Sequence, residues 1–251
     1  MFRNVLELSR KGTLANLNGV IMVEGEKLIN EAIKSGASLR ALLVETGSEK
    51  KWNQHDNVLH LLPSKLLSRL SSLETPAREI ALIMLKPNEK LPEILLKGRT
   101  VVVLDRVQDP GNVGSVLRSS EALGADAVLL LKGTCSRSNP KVLRAAMGSA
   151  FRLPVFEGLD PDELLKLLKE YNYSSVGTDV EGKDLSSFKF PKKTALFFGT
   201  EGKGLFPEIS RNCQAMVAVP MRPDVESLNV AATAAIFLYA RFSADLKIGL
   251  S

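Results

Sequence analysis

The chain is poor in the residues that usually announce covalent or metal chemistry. It has only two cysteines and two histidines in 251 residues. Two cysteines cannot build a disulfide framework, and Cys135 and Cys213 are not at the spacing of a metal-binding pair. His55 and His60 share one polar stretch beside Trp52, so no metal site is expected. No apolar run reaches membrane-spanning length, and the N-terminus lacks the apolar core of a signal peptide. A cytoplasmic protein is therefore expected. A polybasic tract is missing too. The formal net charge of +5 admits an acidic partner such as nucleic acid, but only through a shaped surface.

What is present is enough apolar residue, 45%, for a real core. The clearest boundary is a stretch holding Pro87, Asn88, Pro92 and Gly98. It divides the chain into residues 1–86, a linker 87–98 with room for a short helix at 91–96, and residues 99–251. In the first part a helix, a basic turn and an entry strand are expected over 1–27. Further strands are expected at 39–44, 58–62 and 80–85. Helices are expected at 27–35 and, capped by Ser64, through residue 70. In the second part the expected order is strand 100–104, helix 112–123, strand 127–131 and helices 140–148 and 161–171. Strands 175–178, 194–198 and 216–219 and a final helix 228–242 follow. Strands alternating with helices indicate an α/β fold with a mostly parallel sheet.

Three segments place polar and glycine residues at the ends of strand-like apolar runs: 105–126 (DRVQDPGNVGSVLRSSEALGAD), 198–205 (FGTEGKGL) and 219–232 (VPMRPDVESLNVAA). Ligands of open α/β sheets bind at the C-terminal ends of strands, so the three can meet in one pocket. Read singly, each has an ordinary explanation. Asn112 sits where a helix cap belongs. Arg118 is either a surface residue paired with Glu121 at i+3 or a guanidinium projecting into a site. The glycines of the second segment follow neither the dinucleotide order nor the phosphate-cradle pattern. Glu201 among them disfavours a phosphate and suits a positive charge or ribose hydroxyls. In the third segment, Ser227 or Asn229 can cap the alanine-rich helix that follows.

Taken in order, the three segments resemble motifs 1, 2 and 3 of the SpoU/TrmH family of SPOUT RNA ribose 2′-O-methyltransferases. NPKVLRAAMGSAFRLPV between them is similar to the same family. The resemblance covers about residues 99–242. Residues 1–85, with VEGEKLINEAI, are similar to the ribosomal-protein-like RNA-binding domain that many members carry. The resemblance implies a SPOUT-type sheet closed by a C-terminal trefoil knot, S-adenosylmethionine as methyl donor, a homodimer, and an RNA substrate, ribosomal rather than transfer RNA. By position it assigns Gly199, Val219, Leu228, Thr178 and Met221 to the cofactor. It assigns Asn112, Arg118, Glu201, Ser227 and Asn229 to the catalytic site. Arg3, Arg10, Lys11 and the Gly25 region are candidate RNA contacts. One departure stands out. Where many members carry glycine after Pro-Met, this chain has Arg222-Pro223-Asp224. A proline there fixes φ and removes an N–H.

Overall fold

A computed structural model describes residues 20–85, 87–200 and 202–248. The helix and basic turn expected near the N-terminus, with Arg3, Arg10 and Lys11, lie outside the described residues, as does Glu201. Among the described residues, ten strands form two sheets. The smaller holds β1 (Val20–Glu24), β2 (Ser38–Glu45), β3 (Leu59–Leu62) and β4 (Glu79–Met84), in the order β1-β4-β2-β3. It is mixed rather than parallel, because β4 lies between β1 and β2 and runs against both. The helices α1 (Glu26–Lys34) and α2 (Ser64–Leu70) connect its strands. Ser64 opens α2 but makes no capping hydrogen bond; Pro63 holds the cap position. A 3-10 turn at Glu49–His55 buries Trp52.

The linker carries α3 (Leu91–Lys97). Beyond it lies a six-stranded sheet of β5 (Thr100–Leu104), β6 (Ala127–Leu131), β7 (Val155–Leu159), β8 (Ser174–Asp184), β9 (Thr194–Phe198) and β10 (Ala215–Ala218). The order is β10-β8-β9-β5-β6-β7 and every pairing is parallel. β5, β6 and β9 are buried at every position, as expected of parallel strands covered on both faces. Side chains alternate between faces with period two. Val102, Leu104, Val128, Leu130, Leu196 and Phe198 enter a core shared with the small sheet. Val101, Val103, Leu129, Leu131, Ala195 and Phe197 enter a second core on the other face.

This order positions the site. From β5 the chain steps outward to β6 and β7, then crosses back to β8 and β9 on the other side. The direction of winding switches between the neighbours β5 and β9, and the loops leaving β8, β9 and β10 gather on one side of that switch, beyond the C-terminal ends of their parallel strands. The helices α4 (Pro110–Ala122) and α9 (Val230–Ile248) pack together on one face of the sheet. No helix among the described residues is long and apolar enough to cross a membrane.

Several elements differ from expectation. β7 and α8 (Pro207–Asn212) were not anticipated. The helix placed at 140–148 divides into α5 (Pro140–Ala146) and α6 (Ser149–Arg152), because Met147 and Gly148 are both left-handed. β8 runs to Asp184. Its pairing with β10 jumps from Gly177 opposite Met216 to Lys183 opposite Val217, and residues 178–182 bulge out between.

Candidate active site

A cavity of about 420 Å³ lies beyond the C-terminal ends of β8, β9 and β10. Three loops build it: the β8 bulge, the turn after β9, and the segment from β10 to α9. The turn after β9 is tightly folded. Thr200 and Gly204 exchange backbone hydrogen bonds of 3.1 and 2.8 Å. A β-carbon on Gly199 would stand 2.1 Å from the Gly204 carbonyl, so only glycine allows this crossing. Thr178 Oγ1 donates to the Phe197 carbonyl at 3.2 Å and so orients the bulge against β9.

All five expected cofactor residues, Thr178, Gly199, Val219, Met221 and Leu228, line this cavity, and so does Ser227. Other lining residues escaped the sequence reading. Asp179 and Val180 lie past the point where a strand at 175–178 would stop, and Phe237 reads as helix core. Glu226 directly precedes Ser227 in the third segment and lines the cavity with it. The walls combine the apolar Val217, Val219, Leu228 and Phe237 with the hydroxyls of Thr178, Thr200 and Thr233, with two carboxylates, Asp179 and Glu226, and with the ammonium of Lys203. The size fits a nucleoside, and the carboxylates outnumber the ammonium, which favours one that carries a positive charge. The loop at Arg222-Pro223-Asp224 closes as a β-turn, Val225 N–H donating to the Arg222 carbonyl at 3.1 Å. Pro223 occupies its second position, where a fixed φ is favourable and no N–H is required.

The polar residues of the first segment sit to one side of the cavity lining. Asp109, not Asn112, caps α4: its Oδ1 accepts the Asn112 N–H at 2.8 Å, and Pro110 opens the helix. The helix therefore starts earlier than expected, and the Asn112 side chain is released for another task. Its Oδ1 accepts from Asn229 Nδ2 at 2.9 Å. Asn229 also caps α9, its Oδ1 accepting from the N–H groups of Ala231 and Ala232 at 2.9 and 3.3 Å. One side chain thus starts one helix and grips another.

Arg118 is exposed. At 100° per residue it falls on the outer stripe of α4 with Asn112, Ser115 and Ser119. Glu121 does not pair with it. That carboxylate takes a bidentate bond from Arg152, at 2.6 and 2.9 Å, which holds it below the usual carboxylate range. Arg118 is left pointing outward beside the Asn112–Asn229 pair's helix face.

Other chemistries find little support among the described residues. Burial pushes the Cys213 thiol up to about 12 and raises that of Cys135. Neither is a thiolate at neutral pH. No group of three or more His, Cys, Asp or Glu is placed to hold a metal among the described residues.

Comparison with known proteins agrees with the motif order. Residues 99–239 match the model of the SpoU rRNA Methylase family. The 23S rRNA (guanosine(2553)-2′-O)-methyltransferase RlmP of Bacillus subtilis is 34% identical over 220 residues, spanning 87% of this chain and 86% of that protein. The 23S rRNA (uridine(2479)-2′-O)-methyltransferase of Streptomyces viridochromogenes is 30% identical, spanning 88% and 82%. Among solved structures, the SpoU methyltransferase AviRb of Streptomyces viridochromogenes, in complex with its cofactor AdoMet, superposes with a TM-score of 0.85. It is 28% identical and covers 98% of this chain and 97% of its own.

Proposed function

The chain belongs to the SpoU rRNA methylase family, and from that premise we propose that it methylates a ribose 2′-hydroxyl of structured RNA, with S-adenosylmethionine as the donor and ribosomal RNA as the substrate class. The observation that carries this is the meeting of two features. A cavity of nucleoside size has carboxylates in its lining, and Asn229, between the lining residues Leu228 and Val230, bonds Asn112 on the helix that also carries the exposed Arg118. The relatives named for 23S rRNA align over 87–88% of the chain, most of the first part included, which favours ribosomal over transfer RNA. In this reading the unit before the linker reads the RNA and the unit after it is the methyltransferase. Its knot is walled by the turn after β9 and the segment leading to α9. The same proposal sets the reaction in the cytoplasm.

The donor supplies a methyl group already activated by a positive sulfur, so the protein has to supply alignment and help with the hydroxyl proton. The cavity carboxylates Asp179 and Glu226 would favour the sulfonium, and Gly199, Val219 and Leu228, which also line the cavity, would hold the nucleoside. Glu201 and Ser227 order the site. Asn112 and Asn229 fix α4 against the start of α9, and through α4 they set the position of Arg118. Arg118 carries only N–H donors and no acceptor in its guanidinium, so it acts on the ribose as a donor. It stabilises the alkoxide that develops on the ribose oxygen, or holds the substrate phosphate that takes the proton.

A homodimer belongs to the same proposal. Ile236, Tyr239, Phe242 and Leu246 are large, apolar and exposed along one side of α9, and Tyr239 keeps 64% of its surface open. An apolar stripe of this kind on a helix that otherwise packs into the core marks an interface.

The deciding experiment maps 2′-O-methyl positions in ribosomal and transfer RNA from cells with and without the gene. Loss of one ribosomal site is expected. No lost site in either pool would sink the proposal, and a lost transfer RNA site would move the substrate class. A second reading, an RNA-binding protein of the same fold without activity, loses ground because Asn112, Arg118 and Asn229 keep both identity and mutual placement.

A further inference from the structure

We infer that Asp105 is a positioning residue for cofactor binding, clasping both ends of the turn after β9, with Arg106 as its built-in counter-ion. The inference rests on the proposed use of that turn to hold S-adenosylmethionine. Asp105 is the first residue past β5, and its side chain is 3% exposed. Its backbone N–H donates to the carbonyl of Phe198, where the turn begins, at 2.9 Å. Its carboxylate Oδ2 accepts the backbone N–H of Phe206, where the turn ends, at 2.8 Å. One residue on the central strand therefore closes the loop from outside, while Thr200 and Gly204 close it from inside. Gly199, Thr200 and Gly204, the residues between these ties, line the cavity.

A carboxylate so far from water needs a partner. Arg106 provides it from the adjacent position. Its Nε donates to Oδ1 at 2.8 Å and its Nη2 to Oδ2 at 3.0 Å, a bidentate pair. The same guanidinium lies over the Phe206 ring, 4.2 Å from its centroid. To reach both, Arg106 adopts a left-handed backbone with φ of 54°, a conformation that non-glycine residues seldom hold without compensation. The compensation here is the pair, which ends on Asp105, and the ring of Phe206. Asp105 tethers the Phe206 backbone N–H while Arg106 covers the ring of the same residue, so the two adjacent residues hold Phe206 at both its backbone and its side chain.

Phe206 offers the cleanest test, because it is surface-lying and already has φ of −60° and ψ of 140°, values that proline adopts. Phe206→Pro deletes the tethered N–H. Phe206→Ala deletes the ring and keeps the N–H. S-adenosylmethionine affinity is measured for both by titration calorimetry on the full chain, alongside kcat at saturating cofactor and hydrogen exchange of the cofactor-free proteins. The proline variant is expected to bind at least about tenfold more weakly than the alanine variant, as for loss of a hydrogen bond to a charged group. Its kcat at saturation should be near that of the alanine variant, with faster exchange confined to the amides of residues 199–205. Asp105→Asn, which keeps an acceptor oxygen, should bind more tightly than Asp105→Ala. Equal affinity and equal exchange in the two Phe206 variants would overturn the inference. If the unaltered protein fails to bind S-adenosylmethionine, the functional proposal falls. The exchange comparison then still decides the tether alone: faster exchange in the proline variant supports it, and equal exchange overturns it.

Discussion

Arg118 shows how a single side chain is left available for a proposed role when its ordinary partner is taken. In sequence, Glu121 one turn later is the natural mate for it. In the fold, Arg152 takes both oxygens of that carboxylate, and Arg118 remains exposed on a face shared with Asn112. The expected outcome for Arg118→Ala is a fall in methyl transfer of at least about a hundredfold, the scale for losing a key electrostatic group. Melting temperature and S-adenosylmethionine affinity should not change, since Arg118 lies outside the cavity lining. Radiolabelled methyl incorporation beside a thermal melt checks this. Near-normal turnover would remove Arg118 from catalysis. Asn112 teaches a related lesson. Asn and Asp are equally good caps, and the sequence offers both within four residues. Which one caps depends on where Pro110 starts the helix. That local choice frees the other for Asn229.

At the scale of elements, α9 begins on a residue with two duties, and the duties can be separated. Asn229→Ala loses the cap to Ala231 and Ala232 and the grip on Asn112 together. Its expected cost is about 1 kcal/mol, or roughly 2–4 °C in a chain of this size. Activity should fall as well. Asn229→Ser keeps a capping oxygen but cannot reach Asn112, so it should regain the melting temperature and not the activity. Recovery of both would show that the Asn112 bond is idle. The elements that sequence made legible are those whose burial is uniform. The strands β5, β6 and β9 are continuous apolar runs because both their faces are covered. The elements it missed are half in solvent. β7 buries only Val155 fully and carries a glycine with φ of 70°. The second half of β8 is charged and pairs along the edge of the sheet with β10. Gly199, Val219 and Leu228 of the cavity were readable from motif order, whereas Phe237 lies within a helix and Asp179 entered through that edge pairing, which no local pattern encodes.

At the scale of the molecule, Arg152 joins the two units. Beside its bond to Glu121 on α4, its Nη1 donates to Glu31 on α1 at 2.7 Å. Glu121 has its carboxyl held below the usual 4.5, chiefly by hydrogen bonding to Arg152. A depressed acid contributes stability that is complete above its unfolded pKa and fades as pH falls through the lower folded value. The bridge should therefore support the fold at neutral pH and weaken progressively below about pH 4.5. Glu121→Gln should melt lower than the unaltered protein at pH 7, and the gap should narrow as pH falls below 4.5 and vanish once the folded-state carboxyl is protonated. The pair is partly exposed, so the gap at pH 7 corresponds to no more than about 1 kcal/mol. A gap independent of pH would argue that packing, not charge, is lost. The apolar stripe of α9 predicts that Tyr239→Glu shifts the sedimentation of the chain toward a monomer. A monomeric unaltered protein would withdraw the dimer.

The core that runs without interruption from the small sheet into one face of the large one has a practical meaning. Ile21, Leu42 and Ile83 belong to the same apolar mass as Val102, Leu130 and Phe198. The unit before the linker, proposed above to read the RNA, is therefore not a portable cassette. Exchanging it for that of a relative, to retarget the enzyme to another RNA, would transplant part of the catalytic unit's interior as well. A working chimera would need both sides of the seam exchanged as a set, and one grafted at the linker alone should be recovered insoluble.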